Sequence, residues 1–260
     1  MLGRGIAAVG IVLALIAIWA DYASPFAYWD DGTLGGFLLI LAVAAGLCLA
    51  GALMTDNRNY DVAVGAIGGL AFGIYLFLPA VFAFDQWDLL DSGAWLGLCS
   101  ALTFIGAQIA TWPTDRPTVR PFVPGVLLAL VGLALVIAGL FPDFQSDGAG
   151  SYWDVHFGGG GHSFGILLII LVVLEALAIG AAYTMSAGMD SALLLGAVTL
   201  GATLAIPVGN AFNQLGDLKA GAWLAAIGGI ATMAGALAMW RLAPSEAPAP
   251  RAPVATPPPS

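Results

Sequence analysis

The sequence predicts an all-α polytopic membrane protein, with eight transmembrane helices in two tandem four-helix repeats. Three observations predict this fold class: an apolar composition, eight apolar stretches of membrane-spanning length, and a match between the two halves of the chain. Of the 260 residues, 60% are hydrophobic and only 9% are charged, against roughly 45–50% and about 25% in a soluble domain. So few charges could not cover a soluble domain, which excludes a cytosolic enzyme, a nucleic-acid-binding protein, a disulfide scaffold and a disordered chain.

Eight apolar stretches are long enough to cross a hydrocarbon layer of about 30 Å, which takes about 20 helical residues. Leu, Ala, Gly, Val and Ile occupy all faces of these stretches, as is typical of helices surrounded by lipid. The alternating strands of about ten residues that would indicate a membrane barrel do not occur. The stretches cover residues 5–20, 34–54, 62–83, 93–111, 123–140, 165–185, 191–210 and 221–240.

The first stretch has features of a signal peptide, because one Arg precedes the apolar segment and small residues follow it. We expect it to stay in the protein as a transmembrane helix. Its apolar segment is long, and the repeat described below gives this helix a partner in the second half of the chain.

The distribution of Lys and Arg predicts the orientation, since these residues are enriched in cytoplasmic loops. An N-terminus inside the cell places all six arginines inside and only Lys219 outside. The same topology puts ten aspartates outside, so nearly the whole net charge of −9 lies on an acidic outer face. The preference for Arg over Lys favours a bacterial source. We therefore expect a multi-pass protein of the bacterial cytoplasmic (inner) membrane with both termini in the cytoplasm.

An internal repeat joins the two halves at an offset of 128 residues. Residues 73–96 match residues 201–224 at 11 of 24 positions, including Pro79 with Pro207. Four helices per repeat is an even number, so both repeats point the same way. A pseudo-twofold axis along the membrane normal should relate them, as in transporters with parallel repeats.

The first two helices of each half match more loosely. Residues 28–30 resemble residues 152–154 at an offset of 124, and residues 21–22 resemble residues 143–144 at an offset of 122. The repeat predicts three segments along the chain. A first four-helix repeat covers residues 1–118, a second covers residues 119–243, and a disordered cytoplasmic tail rich in Pro and Ala covers residues 244–260.

Small residues recur at intervals of four on matched helices of both halves. Such residues let helix backbones approach closely in lipid, so we expect tight helix contacts, with a sliding or gating interface as the alternative. The predicted packing positions are Gly65, Gly69, Gly73, Gly93, Gly97, Gly201, Gly221 and Gly229.

Glu175 is an acidic residue in the middle of the sixth predicted span. An ionisable group at this depth costs about 2.5–3.5 kcal/mol on insertion scales and indicates a functional site. Burial disfavours the charged form of a carboxyl, so we expect a neutral side chain. Two interpretations stay open: a hydrogen bond that joins two helices, and a proton or cation site. The repeat counterpart is Leu47 at an offset of 128 or Gly51 at 124, and neither can ionise.

Aromatic and acidic residues alternate at the predicted outer face. They indicate either an interfacial aromatic belt beside solvated carboxylates or a mouth that holds a cationic ligand. The glutamines at the same level are matched in the repeat and could cap helices instead. The candidate residues of this outer mouth are Trp29, Asp30, Gln86, Trp153, Asp154 and Gln214.

His156 and His162 flank a run of four glycines and are weak candidates for a metal site, because their spacing fits no established motif. We expect no cofactor. The composition predicts the lipid bilayer as a partner, leaves a membrane-protein partner or a homo-oligomer open, and excludes nucleic acid.

Three classes of function remain open. A non-catalytic accessory or scaffold subunit comes first, since few polar groups lie in the spans and no catalytic motif occurs. A small transporter or channel for a proton-coupled or cationic solute comes second, supported by the parallel repeat, Glu175 and the acidic mouth. A membrane enzyme or sensor comes third.

Overall fold

The computed structural model describes residues 2–23, 26–27, 30, 32–81, 90–111, 120–144, 150–154, 163–185, 187–210 and 218–242. Within these ranges the chain forms eight α-helices and one short antiparallel hairpin. The predicted tail, residues 244–260, lies outside the described residues. The helices are α1 (Leu2–Trp19), α2 (Gly32–Thr55), α3 (Arg58–Val81), α4 (Ser92–Thr111), α5 (Val123–Gly139), α6 (Ser163–Ala181), α7 (Ala187–Asn210) and α8 (Ala220–Leu242). Strands β1 (Asp21–Ala23) and β2 (Phe26–Ala27) pair between α1 and α2.

Seven of the eight described helices are long and apolar enough to cross a membrane, so the protein is a multi-pass helical membrane protein. The exception is α5, which has 17 residues. It starts with a proline in its first turn, where the missing N–H costs nothing. It ends just before Pro142, which cannot continue a helix. The prediction of a multi-pass helical fold is confirmed.

The helices pack as antiparallel pairs around one parallel pair. α1 packs against α4, α5 packs against α8, and α3 lies beside α7 in the centre of the bundle. α2 contacts α3, and α6 contacts α7. Buried apolar residues form four clusters, of which two lie mainly among α1–α4 and two mainly among α5–α8.

The bundle has two chemically different ends. The Arg4 end holds Arg4, Arg58, Arg120 and Arg241 together with Asp56, Asp61 and Asp190. The Lys219 end holds Lys219 with Asp21, Asp30, Asp91, Asp143 and Asp154. The odd-numbered helices begin at the Arg4 end, because Arg4 on α1 pairs with Asp61 on α3, and Arg58 on α3 pairs with Asp190 on α7.

Candidate functional site

Glu175 lies on α6 and is fully buried. It is 12 residues from the start of α6 and six residues from the end, or about 18 Å and about 9 Å at 1.5 Å per residue. The carboxyl therefore lies inside the bundle but nearer the Arg4 end than the middle position that the sequence predicts. α6 stops at Ala181, and a turn follows where the prediction extends the helix to residue 185.

One oxygen of Glu175 is held by the neighbouring helix. The Thr199 hydroxyl on α7 donates a hydrogen bond of 3.0 Å to Oε2 of Glu175, and both side chains are fully buried. This contact agrees with the interpretation in which the carboxyl joins two helices. A hydroxyl donor suits either protonation state, since both carry an acceptor oxygen.

The second oxygen of Glu175, Oε1, has no hydrogen-bond partner among the described residues. It faces Gly196 on α7, where an added Cβ atom would lie 2.9 Å from it. α8 closes the site, since Met233 and Ala236 also lie beside Gly196. A buried polar atom without a partner costs free energy, and a cation or a water molecule beside this oxygen would lower that cost.

A series of buried hydrogen bonds runs along α7 from the Lys219 end towards Glu175. The phenol of Tyr152 donates to the carbonyl of Thr203 at 3.2 Å. The hydroxyl of Thr203 donates in turn to the carbonyls of Thr199 and Leu200. Backbone carbonyls interrupt the series, so these groups position α7 beside α6 and do not form a continuous chain of hydroxyls.

Tyr152 directly precedes Trp153 and Asp154 of the predicted outer mouth, but its side chain turns into the bundle. Its ring is fully buried and packs between Phe144 and Phe164, with ring centroids 5.3 Å and 5.8 Å away. Burial raises the pKa of the phenol above its ordinary value, so Tyr152 stays a neutral donor. Residues 152–154 form a turn, and tertiary packing decides which of their aromatic side chains turns inwards.

Only part of the predicted outer mouth falls within the described residues. Asp30 is exposed. Trp153 is half-buried and packs beside Phe141, with ring centroids 5.9 Å apart. Asp154 accepts a hydrogen bond of 2.7 Å from the hydroxyl of Ser151. The other candidates, Trp29, Gln86 and Gln214, lie outside the described residues.

The weak metal candidates His156 and His162 also lie outside the described residues. Within the described ranges, no group of three or more His, Cys, Asp or Glu side chains could hold a metal ion.

The predicted packing glycines on α3 and α7 lie where the two helices meet. A Cβ atom on Gly69 would contact Ala197, and one on Gly73 would collide with the backbone of Val198 and Ala202. A Cβ atom on Gly201 would collide with the carbonyl of Leu70. The parallel pair at the centre is therefore in direct backbone contact.

The predicted glycines on α4 and α8 face other helices. Gly93 lies against the carbonyls of Ala20 and Asp21, and Gly221 lies against those of Pro142 and Asp143. Gly97 packs on the ring of Tyr75, and Gly229 packs on the hydroxyl of Thr203. Each of these positions leaves no room for a larger side chain.

Gln108 is a buried polar residue that the sequence analysis overlooks. It lies on α4 with 2% of its surface exposed, and neither Nε2 nor Oε1 has a partner among the described residues. Its amide lies directly against Gly65, the remaining predicted packing position. The sequence feature that could have identified Gln108 is an amide inside an apolar span, because polar residues in spans hydrogen-bond across helices or mark functional positions.

Two ion-pair groups at the Arg4 end were also missed. Arg4 donates two hydrogen bonds to Asp61, at 3.0 and 2.9 Å, and pairs with Asp56 at 2.8 Å. Arg58 pairs with Asp190 at 2.9 Å, and the indole of Trp240 donates to the other oxygen of Asp190 at 3.2 Å. The sequence places these residues on one side of the membrane but cannot pair them.

Comparison of the chain with protein-family models, with curated proteins and with solved structures gives no match, so its function has to be inferred from this geometry.

Proposed function

We propose that the chain is a non-catalytic integral protein of the bacterial cytoplasmic membrane, an accessory or scaffold subunit built from two four-helix repeats. The observation that carries the proposal is the contact between α3 and α7. Gly73 meets Gly201, and Gly69 meets Ala197, and both pairs are 128 residues apart. A twofold axis brings a residue near it against its own counterpart, so these contacts support a pseudo-twofold axis between α3 and α7.

The antiparallel pairs support the same repeat. Gly3 lies against the carbonyl of Ala107, and Gly125 lies against that of Gly235. These contacts correspond at offsets of 122 for α1 and α5 and 128 for α4 and α8. The contacts of Gly93 and Gly221 described above follow the same two offsets.

The pattern of buried residues along α2 and α6 indicates how these two helices align in the proposed repeat. Six buried positions along the two helices coincide at an offset of 130, and in this register Glu175 corresponds to Ala45. The sequence-based counterpart Leu47 is 69% exposed and Gly51 is half-buried, so neither occupies a position equivalent to Glu175. The coinciding positions are Leu38, Leu41, Ala42, Ala45, Leu49 and Ala52 on α2, and Leu168, Leu171, Val172, Glu175 and Ile179 on α6 with Ala182 in the turn directly after it.

The interface between the two proposed repeats is filled by helix contacts, which favours a scaffold over a transporter. Transporters with parallel repeats bind their substrate between the repeats, near the midplane. Here backbone contacts between α3 and α7 fill that position. At the Arg4 end, the partly buried pair of Arg58 and Asp190 also joins the two halves. An interface of this kind holds the halves in one arrangement, as expected of a rigid subunit.

The charges support an orientation with the Arg4 end in the cytoplasm. The described residues at that end include four arginines and three aspartates, whereas the Lys219 end carries five aspartates and one lysine. The basic end is expected inside. Exposed tryptophans near the Lys219 end, at 19, 95 and 223, suit the membrane–water interface.

Glu175 favours a second candidate function, a transporter or channel for a proton-coupled or cationic solute. Its unpaired oxygen lies off the pseudo-twofold axis, between α6, α7 and α8. A site there could take up a proton or cation without separating α3 from α7.

Two measurements on the full chain test these alternatives. A photoreactive residue at lipid-facing Leu47 or Leu177 would be crosslinked in living cells, followed by detergent purification and mass spectrometry. A stoichiometric membrane-protein partner at either position supports the subunit. Proton flux would then be measured in liposomes that contain the purified protein. Flux that the wild type sustains and Glu175→Gln abolishes, without any crosslinked partner, would overturn the subunit proposal in favour of transport.

A further inference from the structure

A pocket in the first half of the bundle surrounds the side chain of Gln108. The pocket has a volume of about 220 Å³, part of it open to solvent, and all four helices α1–α4 contribute to its walls. Only about 10 Å³ of this space can hold the centre of a water-sized molecule, and a cavity needs roughly 10–15 Å³ of such space to hold one water. The occupant should therefore be smaller than a metabolite.

The walls of the pocket combine charged, polar and apolar groups. Arg4 and Asp61 form one side, Thr111 lies beside Gln108, and Leu49 and Val64 supply apolar wall. The side chains of Arg4 and Asp61 are 16% and 11% exposed. Since they form an ion pair with each other, the pocket carries little net charge on this side.

The corresponding place in the second half is packed with apolar side chains. In the register of the proposed repeat, Arg4, Gly65, Gln108 and Thr111 correspond to Val126, Leu193, Ala236 and Met239. These four residues are buried together in one apolar cluster. Apolar side chains can therefore fill this space between the helices, as they do in the second half, whereas in the first half the space is lined by polar groups.

The chemistry of an amide selects the occupant. Gln108 offers two N–H donors and an acceptor oxygen, and both atoms lack protein partners among the described residues. A bare cation could satisfy only the oxygen, and an anion could satisfy only the nitrogen. A small molecule that both accepts and donates hydrogen bonds satisfies both atoms, and buried waters do so with two to four polar partners.

We propose that the first repeat contains a hydration site at the Arg4 end, in which ordered water joins the Gln108 amide to the Arg4–Asp61 ion pair. The site has no equivalent in the second repeat. It lets water enter the bundle as far as Gln108, on one side of the pseudo-twofold axis only. Gly65 is needed for it, because any side chain there would collide with the amide.

Radiolytic hydroxyl-radical labelling tests the site, because it oxidises side chains next to bound water. The full chain in lipid nanodiscs would be labelled and analysed by mass spectrometry. Leu49 and Val64 should be oxidised in the wild type. In a double variant, Gly65→Leu with Gln108→Ala, these two positions receive the residues that their counterparts Leu193 and Ala236 have in the second half. Labelling of Leu49 and Val64 should then fall severalfold, while labelling of Ile179 in the second half stays unchanged.

Two results would overturn the proposal. One is equal labelling of Leu49 and Val64 in the wild type and the double variant, and the other is a wild type in which neither residue is labelled. If the double variant does not fold, an experimental density map of the wild type decides instead. It should contain ordered water within hydrogen-bonding distance of the Gln108 amide, and an amide surrounded only by apolar atoms would contradict the proposal.

Discussion

Gly73 on α3 and Gly201 on α7 lie directly against each other, so that a Cβ atom on Gly201 would come within 3.1 Å of the Cα atom of Gly73. The two glycines are also counterparts in the proposed repeat. One contact therefore links a sequence feature, the offset of 128 residues, to the central packing of the bundle. Close backbone approach of this kind stabilises helix association where lipid removes the hydrophobic driving force.

Replacing either glycine of this pair by alanine should destabilise the protein. The new methyl group would collide with the backbone of the facing helix, and such overpacking typically costs about 1–3 kcal/mol. Thermal unfolding in detergent would measure the loss for Gly73→Ala and Gly201→Ala. Gly180→Ala is the matched control, since nothing lies within 4 Å of that position. Equal stability of all three variants would contradict a tight α3–α7 interface.

The Arg58–Asp190 pair should matter more for stability than the Lys219–Asp143 pair. Asp190 is 4% exposed and accepts hydrogen bonds from both Arg58 and Trp240, so Asp190→Ala removes the partner of two partly buried donors, at a total cost of about 1–3 kcal/mol. Lys219 and Asp143 are 45% and 59% exposed, and such surface pairs contribute about 0–1 kcal/mol. The free energy of unfolding of Asp190→Ala and Lys219→Ala compares the two ion pairs. A larger decrease for Lys219→Ala than for Asp190→Ala would contradict the burial argument.

Cysteine labelling in intact cells should resolve the orientation. Asp154 and Asn57 are exposed at opposite ends of the bundle. Asp154→Cys should react with a membrane-impermeant thiol reagent added outside, whereas Asn57→Cys should react only after the membrane is opened. Both variants would be made with Cys48 and Cys99 replaced by alanine. The reverse pattern would invert the proposed topology.

Tyr152 should make stability fall in alkaline solution. Burial raises the pKa of its phenol in the folded protein above the ordinary value of 10.0. Its stabilisation is therefore fully present below that value and is lost as the pH rises through the folded-state pKa. Tyr152→Phe should lose about 1 kcal/mol at neutral pH, from the hydrogen bond to Thr203. The free energy of unfolding should then fall less steeply with rising pH for the variant than for the wild type. Parallel curves for the two proteins would show that Tyr152 does not titrate.

The sequence predicts the helices better than the contacts between polar residues. Helix position follows from the length of apolar segments, so α4 (Ser92–Thr111) matches the predicted span 93–111. The pairing of Arg4 with Asp61 depends on how α1 and α3 meet, which composition does not encode. Likewise Gln108 has an apolar neighbourhood in the sequence, and only the fold brings it against Gly65.

Glu175 illustrates the same limit, because its place within a span could be predicted but its exact depth and its neighbours could not. Its partner Thr199 is one of several hydroxyl residues in the spans, and only the packing of α6 against α7 selects it. The facing Gly196 leaves room for Oε1 of Glu175, which has no hydrogen-bond partner among the described residues. Whether the site only joins helices or also exchanges a proton can therefore be decided by comparing substitutions at these positions.

If Glu175 only joins α6 to α7, Glu175→Gln should keep most of the stability, because an amide oxygen still accepts the hydrogen bond from Thr199. Thr199→Val should lose about 1 kcal/mol, and the double variant Glu175→Leu with Thr199→Val should lose less than the sum of the single changes. Unfolding in detergent measures this coupling. A coupling of zero would mean that the 3.0 Å hydrogen bond does not stabilise the protein.

Gly196→Ala separates the helix-joining role from proton exchange, because the added Cβ atom would lie 2.9 Å from Oε1 of Glu175 but leave the hydrogen bond to Oε2 in place. For a purely structural carboxyl, this variant should lower stability and change no proton flux in liposomes. For an exchanging carboxyl, both Gly196→Ala and Glu175→Gln should reduce flux, whereas Thr203→Val, about two turns along α7 from Gly196, should not. Flux that is absent from the wild type and from all variants supports the structural role.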